Sequence, residues 1–120
     1  MDILVVEDEA APAQRTLEVL RGAGHAVRWV RSARDARTEL GEHLPDLLVL
    51  DLSLETDGLE LLQALRFSPS DPRGGIVVLV DAGDVHRRER AHQLGAAAVL
   101  TKPLRTEEFE QTVRELVDWM

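Results

Sequence analysis

The sequence predicts an α/β fold in which a parallel sheet is covered by helices on both faces. Two observations support this prediction: short apolar runs alternate with stretches of helical periodicity, and several of the runs end in a carboxylate. The clearest run is Asp46-Leu47-Leu48-Val49-Leu50-Asp51, with four aliphatic residues in succession. An apolar residue at every position, rather than at every second one, indicates a strand that is buried on both faces, as in parallel sheets.

Four further segments have strand character. Residues 3–6 and 76–80 are unbroken aliphatic runs that end in Glu7-Asp8 and in Asp81. Ala26-Val27-Arg28-Trp29-Val30 is predicted to be the second strand, and the short segment 98–100 leads into Thr101-Lys102-Pro103. Together with the central run they give five predicted strands.

Stretches with helical spacing fill the gaps between these strands and complete the alternation. Ser32 and Thr106 are predicted to cap the second and the last helix, and the glycines at 22 and 24 to end the first. The fourth helix is polar nearly all round. The last has an apolar face at positions 109, 113, 116, 117 and 120. The predicted helices are residues 10–23, 33 to about 42, a segment after Gly58, 85–94, and about 107 to 119.

Five alternating strands and helices in 120 residues predict one domain, residues 1–120, with a doubly wound three-layer architecture. Right-handed crossovers and helices on both faces favour the flavodoxin-like strand order 2-1-3-4-5. In that order the first and third strands are neighbours, and ligands bind beyond the carboxyl ends of the strands.

Composition excludes several functions. The chain is 44% hydrophobic and 30% charged, and no apolar run approaches the roughly 20 residues of a membrane helix. The first apolar run stops at Glu7, too early for a signal peptide, and there is no cysteine. We therefore expect a cytoplasmic protein without a membrane association. A net charge of −8 argues against direct nucleic-acid contact by this domain.

Charged residues follow the predicted strands and are expected to meet at one edge of the sheet. They are Glu7, Asp8, Asp51, Asp81 and Lys102. Each has a plainer interpretation. Glu7 and Asp8 would be a solvated pair before a helix, Asp51 a turn aspartate and Lys102 a surface lysine. Asp81 would turn outward and cap the next loop. The group as a whole is more informative than any single member.

The ordered set of motifs resembles the receiver domain of two-component response regulators along the whole chain. The matching motifs are Ile3 to Glu9, Asp51 after an aliphatic strand, Asp57-Gly58, Gly95-Ala96 and Thr101-Lys102-Pro103. The resemblance implies that Asp51 is the phosphoacceptor and that Lys102 pairs with the phosphoryl group. It also implies a site for Mg²⁺ or Mn²⁺ formed by Glu7, Asp8, Asp51 and the main-chain carbonyl of Ser53. A hard cation with oxygen ligands relieves the repulsion between a carboxylate and a phosphoryl group.

Three departures from the family pattern stand out. Asp81 occupies the position of a Ser or Thr that binds the phosphoryl group, and Val99 occupies that of a switch Tyr or Phe. The loop of residues 52–56 lacks the usual Pro and is one residue short. An additional carboxylate about 4 Å from the phosphoryl group would cost roughly 4 kcal/mol at an effective dielectric constant of about 20.

Three functions therefore remain under consideration. The first is a receiver phosphorylated on Asp51 by a histidine kinase, which regulates an output domain or a downstream protein. The second is a pseudo-receiver that serves as a phosphorylation-independent interaction module, with a homodimer through the last strand and its flanking helices. The third, a metal-dependent phosphohydrolase, is disfavoured because no second acid is placed as a general acid near Asp51. We expect no enzymatic activity beyond self-phosphorylation and self-dephosphorylation.

Overall fold

A computed structural model describes residues 1–53 and 58–119. It contains one five-stranded parallel sheet in the order β2-β1-β3-β4-β5, which confirms the predicted fold and strand order. The strands are β1 (Asp2–Val6), β2 (Ala26–Val30), β3 (Leu47–Asp51), β4 (Ile76–Val80) and β5 (Ala98–Thr101). The helices are α1 (Ala10–Gly22), α2 (Ala33–Glu42), α3 (Gly58–Leu65), α4 (Val85–Gln93) and α5 (Thr106–Trp119).

The register of the sheet aligns the carboxyl ends of its central strands. Val6 of β1 lies opposite Leu50 of β3, so the residues that follow each of them enter the same crevice. On the other side of β3, Asp51 lies opposite Leu79 of β4. The main-chain amide of Lys102 donates to the Val80 carbonyl and extends the pairing of β4 and β5 by one residue. These strand ends form what we call the carboxyl edge.

Two apolar cores cover the two faces of the sheet, because consecutive residues of a strand point to opposite sides. Leu48 and Leu50 of β3 pack with residues of α2, α3 and α4. Leu47 and Val49 pack on the other face with residues of α1 and α5. All four side chains are completely buried. This explains why β3 has no polar position before Asp51.

The helix ends largely follow the predictions. The Ser32 hydroxyl accepts a hydrogen bond from the Asp35 amide at 3.0 Å, which confirms Ser32 as the cap of α2. Thr106 is the first residue of α5 rather than a residue before it. Phe109 and Val113 form the buried part of the α5 face, as predicted. Trp119, at the end of the same helix, is 88% exposed and contributes little to packing.

Some predictions fall on residues outside the described ranges. These are the shortened loop after Ser53, the first residue of the Asp57-Gly58 motif, and the apolar position 120. Gly58 itself is buried and begins α3, and an added Cβ there would meet the Leu52 side chain at 3.0 Å. Among the helices described, none has the length and apolarity required to cross a membrane.

Candidate functional site

The candidate site is centred on Asp51, the last residue of β3, whose side chain is fully buried. The amide and the hydroxyl of Ser53 both donate to one carboxylate oxygen, at 2.8 and 2.6 Å. The ammonium group of Lys102 binds the other oxygen and also donates to the Ser53 hydroxyl at 3.1 Å. The Asp51 carboxylate is therefore held on both oxygens by residues from two separate segments of the chain.

Glu7 is the second buried acid of the site. It follows β1, is only 4% exposed, and its carboxylate lies 4.0 Å from the Lys102 ammonium group. The Glu9 amide donates to the other Glu7 carboxylate oxygen at 3.1 Å. The structure therefore places two buried acids, Glu7 and Asp51, around one lysine, and this cluster holds fewer cations than acids.

The pKa values of the three groups show how the cluster compensates for this imbalance. Burial, together with a hydrogen bond to Asp51, raises the pKa of Glu7 to about 8. Burial would also raise the pKa of Asp51, but hydrogen bonds from Glu7, Lys102 and Ser53 lower it overall. Burial opposes the charged form of Lys102, yet the adjacent Asp51 raises its pKa. At neutral pH Glu7 is thus largely protonated and donates to the Asp51 carboxylate.

Asp8 and Asp81 lie beside the cluster without joining its hydrogen bonds. The main-chain carbonyl of Asp8 accepts a hydrogen bond from Arg31 at 2.9 Å. The Asp81 carbonyl accepts one from the Asp84 amide at 3.0 Å, which closes a turn after β4. Within residues 1–53 and 58–119, neither aspartate side chain forms a hydrogen bond or an ion pair.

Asp81 therefore does not use its carboxylate to cap the turn. That task falls to Asp84, which accepts a hydrogen bond from the Arg87 amide at 3.0 Å at the start of α4. The Asp81 side chain is exposed, but its negative charge contributes to the raised pKa of Lys102. It lies at the rim of the site, close enough to affect the charge there.

A cavity of about 490 Å³ opens beside the cluster, between α1 and the start of α5. Its charged lining residues are Glu7, Arg15, Asp81 and Lys102. Much of the remaining wall is apolar and comes from Val19, Leu79, Leu104 and Phe109, among others. The peptide bond between Lys102 and Pro103, at the edge of this cavity, is cis. Of the two buried acids, Glu7 lines this cavity.

The oxygen donors present are of the type that Mg²⁺ or Mn²⁺ binds. They are the carboxylates of Glu7, Asp8 and Asp51 and the main-chain carbonyl of Ser53. In the described part of the chain, no three acidic, histidine or cysteine side chains already surround a common metal position. Two of these donors, Glu7 and Asp51, are buried acids that face a single lysine, so the donor set fits a divalent cation, which would neutralise the excess negative charge.

The sequence prediction missed two contributions. It assigned only the carbonyl of Ser53, whereas the Ser53 amide and hydroxyl both bind Asp51. An aspartate that accepts from the amide two residues later is a common turn pattern, so this contact had a local signal. The prediction also gave Trp29 no role at the site, although its indole N–H donates to the Glu7 carbonyl at 2.8 Å. Nothing local in the sequence indicates that contact.

A protein-family model matches the part of the chain that contains the site residues. The model of the response regulator receiver domain matches residues 3–114. The chain belongs to this family. It is a CheY-like receiver domain of two-component systems. Val99, in β5, packs against the core.

Individual relatives support this assignment. The virulence transcriptional regulatory protein PhoP of Salmonella typhimurium is 34% identical over 118 residues, which are 98% of this chain and 52% of PhoP. The phosphate regulon transcriptional regulatory protein PhoB of Rhizobium meliloti is 34% identical over 116 residues, 96% of this chain and 51% of PhoB. The receiver chain thus spans about half the length of these relatives.

A solved structure of another response regulator has the same fold as this chain. The crystal structure of a putative response regulator from Chloroflexus aurantiacus superposes with a TM-score of 0.89 and 30% sequence identity. That comparison covers 98% of this chain and 97% of the other. The receiver fold therefore accounts for nearly the whole of both chains.

Proposed function

We propose that this receiver domain accepts a phosphoryl group on Asp51 from a histidine kinase and thereby regulates an output domain or a downstream protein. The observation that carries the proposal is the hydrogen bonding of Asp51. Lys102 binds one carboxylate oxygen and Ser53 binds the other, so the carboxylate is oriented while Asp51 remains deprotonated. A lowered pKa of Asp51 keeps the acceptor anionic at neutral pH.

The proposed reaction is a phosphoryl transfer to an oxygen of Asp51. A carboxylate oxygen attacks the phosphorus, the bond from phosphorus to the donor nitrogen breaks, and an acyl phosphate forms. Lys102 then pairs with the phosphoryl oxygens, where its ammonium group supplies a compact positive charge. Mg²⁺ or Mn²⁺, held by Glu7, Asp8, Asp51 and the Ser53 carbonyl, would add positive charge against the incoming phosphoryl group. Any turnover by the domain alone is self-phosphorylation or self-dephosphorylation.

The proposed setting follows from the relatives. PhoP and PhoB are transcriptional regulatory proteins about twice as long as this chain, which supports an output domain or partner that acts on transcription. We place the domain in the cytoplasm. Its negative charge favours indirect action, with nucleic acid contacted by the output rather than by this domain.

Phosphate incorporation tests the proposal directly. Incubation with a small phosphodonor and Mg²⁺ should add one phosphoryl group to the wild type, detected by intact mass, and none to Asp51→Asn. Asp46→Asn is a matched control, because it removes the aspartate that directly precedes the same strand, at the end opposite to Asp51. Labelling of Asp51→Asn, or no labelling of any variant, would contradict the proposal.

Metal binding provides an independent test. We expect Mg²⁺ to bind with millimolar to submillimolar affinity, on the order of what a few carboxylates with retained waters provide. Asp8→Asn and Asp51→Asn should each weaken this binding in a calorimetric or NMR titration. If both variants bind Mg²⁺ as tightly as the wild type, the metal site lies elsewhere.

A second candidate is a pseudo-receiver that acts as a phosphorylation-independent interaction or dimerisation module. Asp81 and Val99 favour it, since neither a hydroxyl nor an aromatic ring is present to couple the site to β5. A homodimer through α4, β5 and α5 would then depend little on phosphorylation, because a modification shifts an equilibrium only through its differential interaction with the two states. Sedimentation with and without beryllofluoride tests this, and a clear shift from monomer to dimer would contradict it.

A further inference from the structure

The acidic pair Glu7-Asp8 is contacted by the end of the neighbouring strand β2. The Glu7 amide donates to the Val30 carbonyl at 3.1 Å and extends the pairing of β1 and β2. The carbonyls of the pair, however, are bound by side chains. The indole N–H of Trp29 donates to the Glu7 carbonyl at 2.8 Å, and the guanidinium of Arg31 donates to the Asp8 carbonyl at 2.9 Å.

The two side chains also contact each other. The Arg31 guanidinium carbon lies 5.3 Å from the centre of the Trp29 ring, within the range of a cation–π interaction. Trp29 is half-buried and packs against the core formed with α1 and α5, whereas Arg31 is exposed. The packed indole thus supports the arginine, and each of them binds one of two consecutive carbonyls. We call this pair the β2 clamp.

This arrangement fixes the main chain at the point where β1 leaves the sheet. Two consecutive carbonyl contacts restrain the peptide planes on either side of Asp8, which set the direction of its side chain. A charged donor forms a stronger hydrogen bond than a neutral one, so the contact from Arg31 is a substantial restraint despite its exposure. The Asp8 side chain itself has no hydrogen-bond partner in the described ranges, so its direction depends on the backbone.

We propose that Trp29 and Arg31 are positioning residues that hold the backbone of Glu7 and Asp8 in the conformation required to bind a divalent cation. The inference rests on the metal-dependent function proposed above. It assigns no direct metal contact to either residue. Arg31 also places a positive charge near the acids, which by itself disfavours a cation, so its benefit must come from the restraint on the Asp8 carbonyl.

The test uses the whole 120-residue chain and Mg²⁺ as the probe. Trp29→Phe keeps an aromatic ring but removes the N–H donor, and Arg31→Gln removes the guanidinium at an exposed position where folding is not at risk. Arg34→Gln is the matched control, since Arg34 is a nearby exposed arginine on α2 whose side chain has no partner among the described residues. Calorimetry measures the affinity, and amide hydrogen exchange of residues 7–9 in metal-free protein measures the restraint.

Trp29→Phe should weaken Mg²⁺ binding about three- to tenfold, the factor that corresponds to one lost hydrogen bond. Arg31→Gln should weaken it by about threefold on the same scale, although the loss of positive charge alone would strengthen it. In both variants the amide hydrogens of residues 7–9 should exchange faster than in the wild type. The exchange rates of the β3 amides should be unchanged. Arg34→Gln should match the wild type or bind slightly more tightly.

Wild-type affinity and exchange rates in both clamp variants would overturn the inference and leave the proposed function intact. Weakened binding that Arg34→Gln reproduces would also overturn it, because the effect would then not depend on the carbonyl contacts of the β2 clamp. A wild-type protein that binds no Mg²⁺ would overturn the metal-dependent function and the inference with it. The two failures are thus distinguishable by the wild-type titration.

Discussion

The two edges of the sheet use similar charged residues in opposite ways. At the carboxyl edge, the buried acids Glu7 and Asp51 share one lysine. At the amino-terminal edge, a network of half-exposed and exposed side chains connects β1, β2 and α2. It consists of Asp2, Arg28, Glu39, His43 and Asp46.

In the amino-edge network every acid has a partner, and two of the acids share Arg28. Arg28 binds both Asp2 and Glu39, His43 approaches Asp2 at 2.6 Å, and Asp46 accepts from the Asp2 amide at 2.9 Å. Solvent screens these contacts, and exposed pairs of this kind contribute about 0–1 kcal/mol each. They connect elements of the fold, and contact with solvent lowers the cost of the excess negative charge in the network.

Burial, rather than residue type or the ratio of acids to cations, separates a structural ion pair from a reactive one in this protein. At the carboxyl edge desolvation penalises two ionised acids, and the site responds by protonating Glu7. Such a cluster gains from any additional cation. The acids of the amino edge keep contact with solvent, so desolvation imposes no comparable penalty there, and we expect this edge to be insensitive to metal and to phosphorylation.

The largest difference between the edges should come from Glu7→Gln. Because the pKa of Glu7 is raised from 4.5 to about 8, the folded protein keeps a proton on Glu7 that the unfolded chain releases. In metal-free wild type this contribution to stability is fully present below about pH 4.5 and is lost as the pH rises through about 8. The loss is on the order of 5 kcal/mol, since one pKa unit corresponds to about 1.4 kcal/mol. The glutamine of Glu7→Gln cannot ionise, so the stability of this variant should not show this loss.

Urea unfolding at several pH values in EDTA measures this effect as the difference in unfolding free energy between variant and wild type. That difference should increasingly favour Glu7→Gln as the pH rises. Glu39→Gln, from the amino edge, is the control and should run parallel to the wild type. Parallel curves for Glu7→Gln as well would mean that Glu7 ionises normally in the folded protein.

A smaller effect is expected from the rim of the carboxyl edge, at Asp81. Asp81→Thr removes a negative charge and introduces a hydroxyl, so the phosphorylated fraction of Asp51 should rise by about tenfold, which is about 1.4 kcal/mol. This is a fraction of the roughly 4 kcal/mol of repulsion expected at about 4 Å with an effective dielectric constant of about 20, because the Asp81 side chain is exposed. Phosphoprotein yield from a small phosphodonor at fixed Mg²⁺ is the measurement.

Two further variants separate the causes. Asp81→Asn removes the charge without supplying a hydroxyl and should recover part of the gain. Asp46→Asn removes a charge at the amino edge and should leave the yield unchanged. Equal yields for wild type and Asp81→Thr would show that the exposed Asp81 carboxylate does not oppose phosphorylation.

The smallest effect should come from the amino edge itself. Glu39→Gln weakens the contact with Arg28 and should lower the free energy of unfolding by less than about 1 kcal/mol. The loss should shrink further at high salt, since screening weakens exposed pairs. Urea unfolding at low and high NaCl measures it, with Glu42→Gln on the same helix as a control for charge. A loss above about 2 kcal/mol would place this network among buried ion pairs instead.

The sequence by itself determined the fold and the approximate location of the site. Unbroken aliphatic runs require two covered faces, and parallel strands bring their carboxyl ends to one edge, so Glu7, Asp51 and Lys102 had to approach one another. These inferences rest on local periodicity and on chain connectivity, which a linear pattern contains. The strand order and the Ser32 cap were predictable for the same reason.

Only the tertiary structure decided how the site is balanced. The protonation of Glu7 depends on its burial and its distance from Asp51, which is 44 positions away in the sequence. The contact between Trp29 and Glu7 and the exposure of Trp119 likewise depend on packing between separate elements. Burial, distance and solvent access arise only when the elements pack together, and these quantities set the pKa values on which the chemistry of a carboxylate site depends.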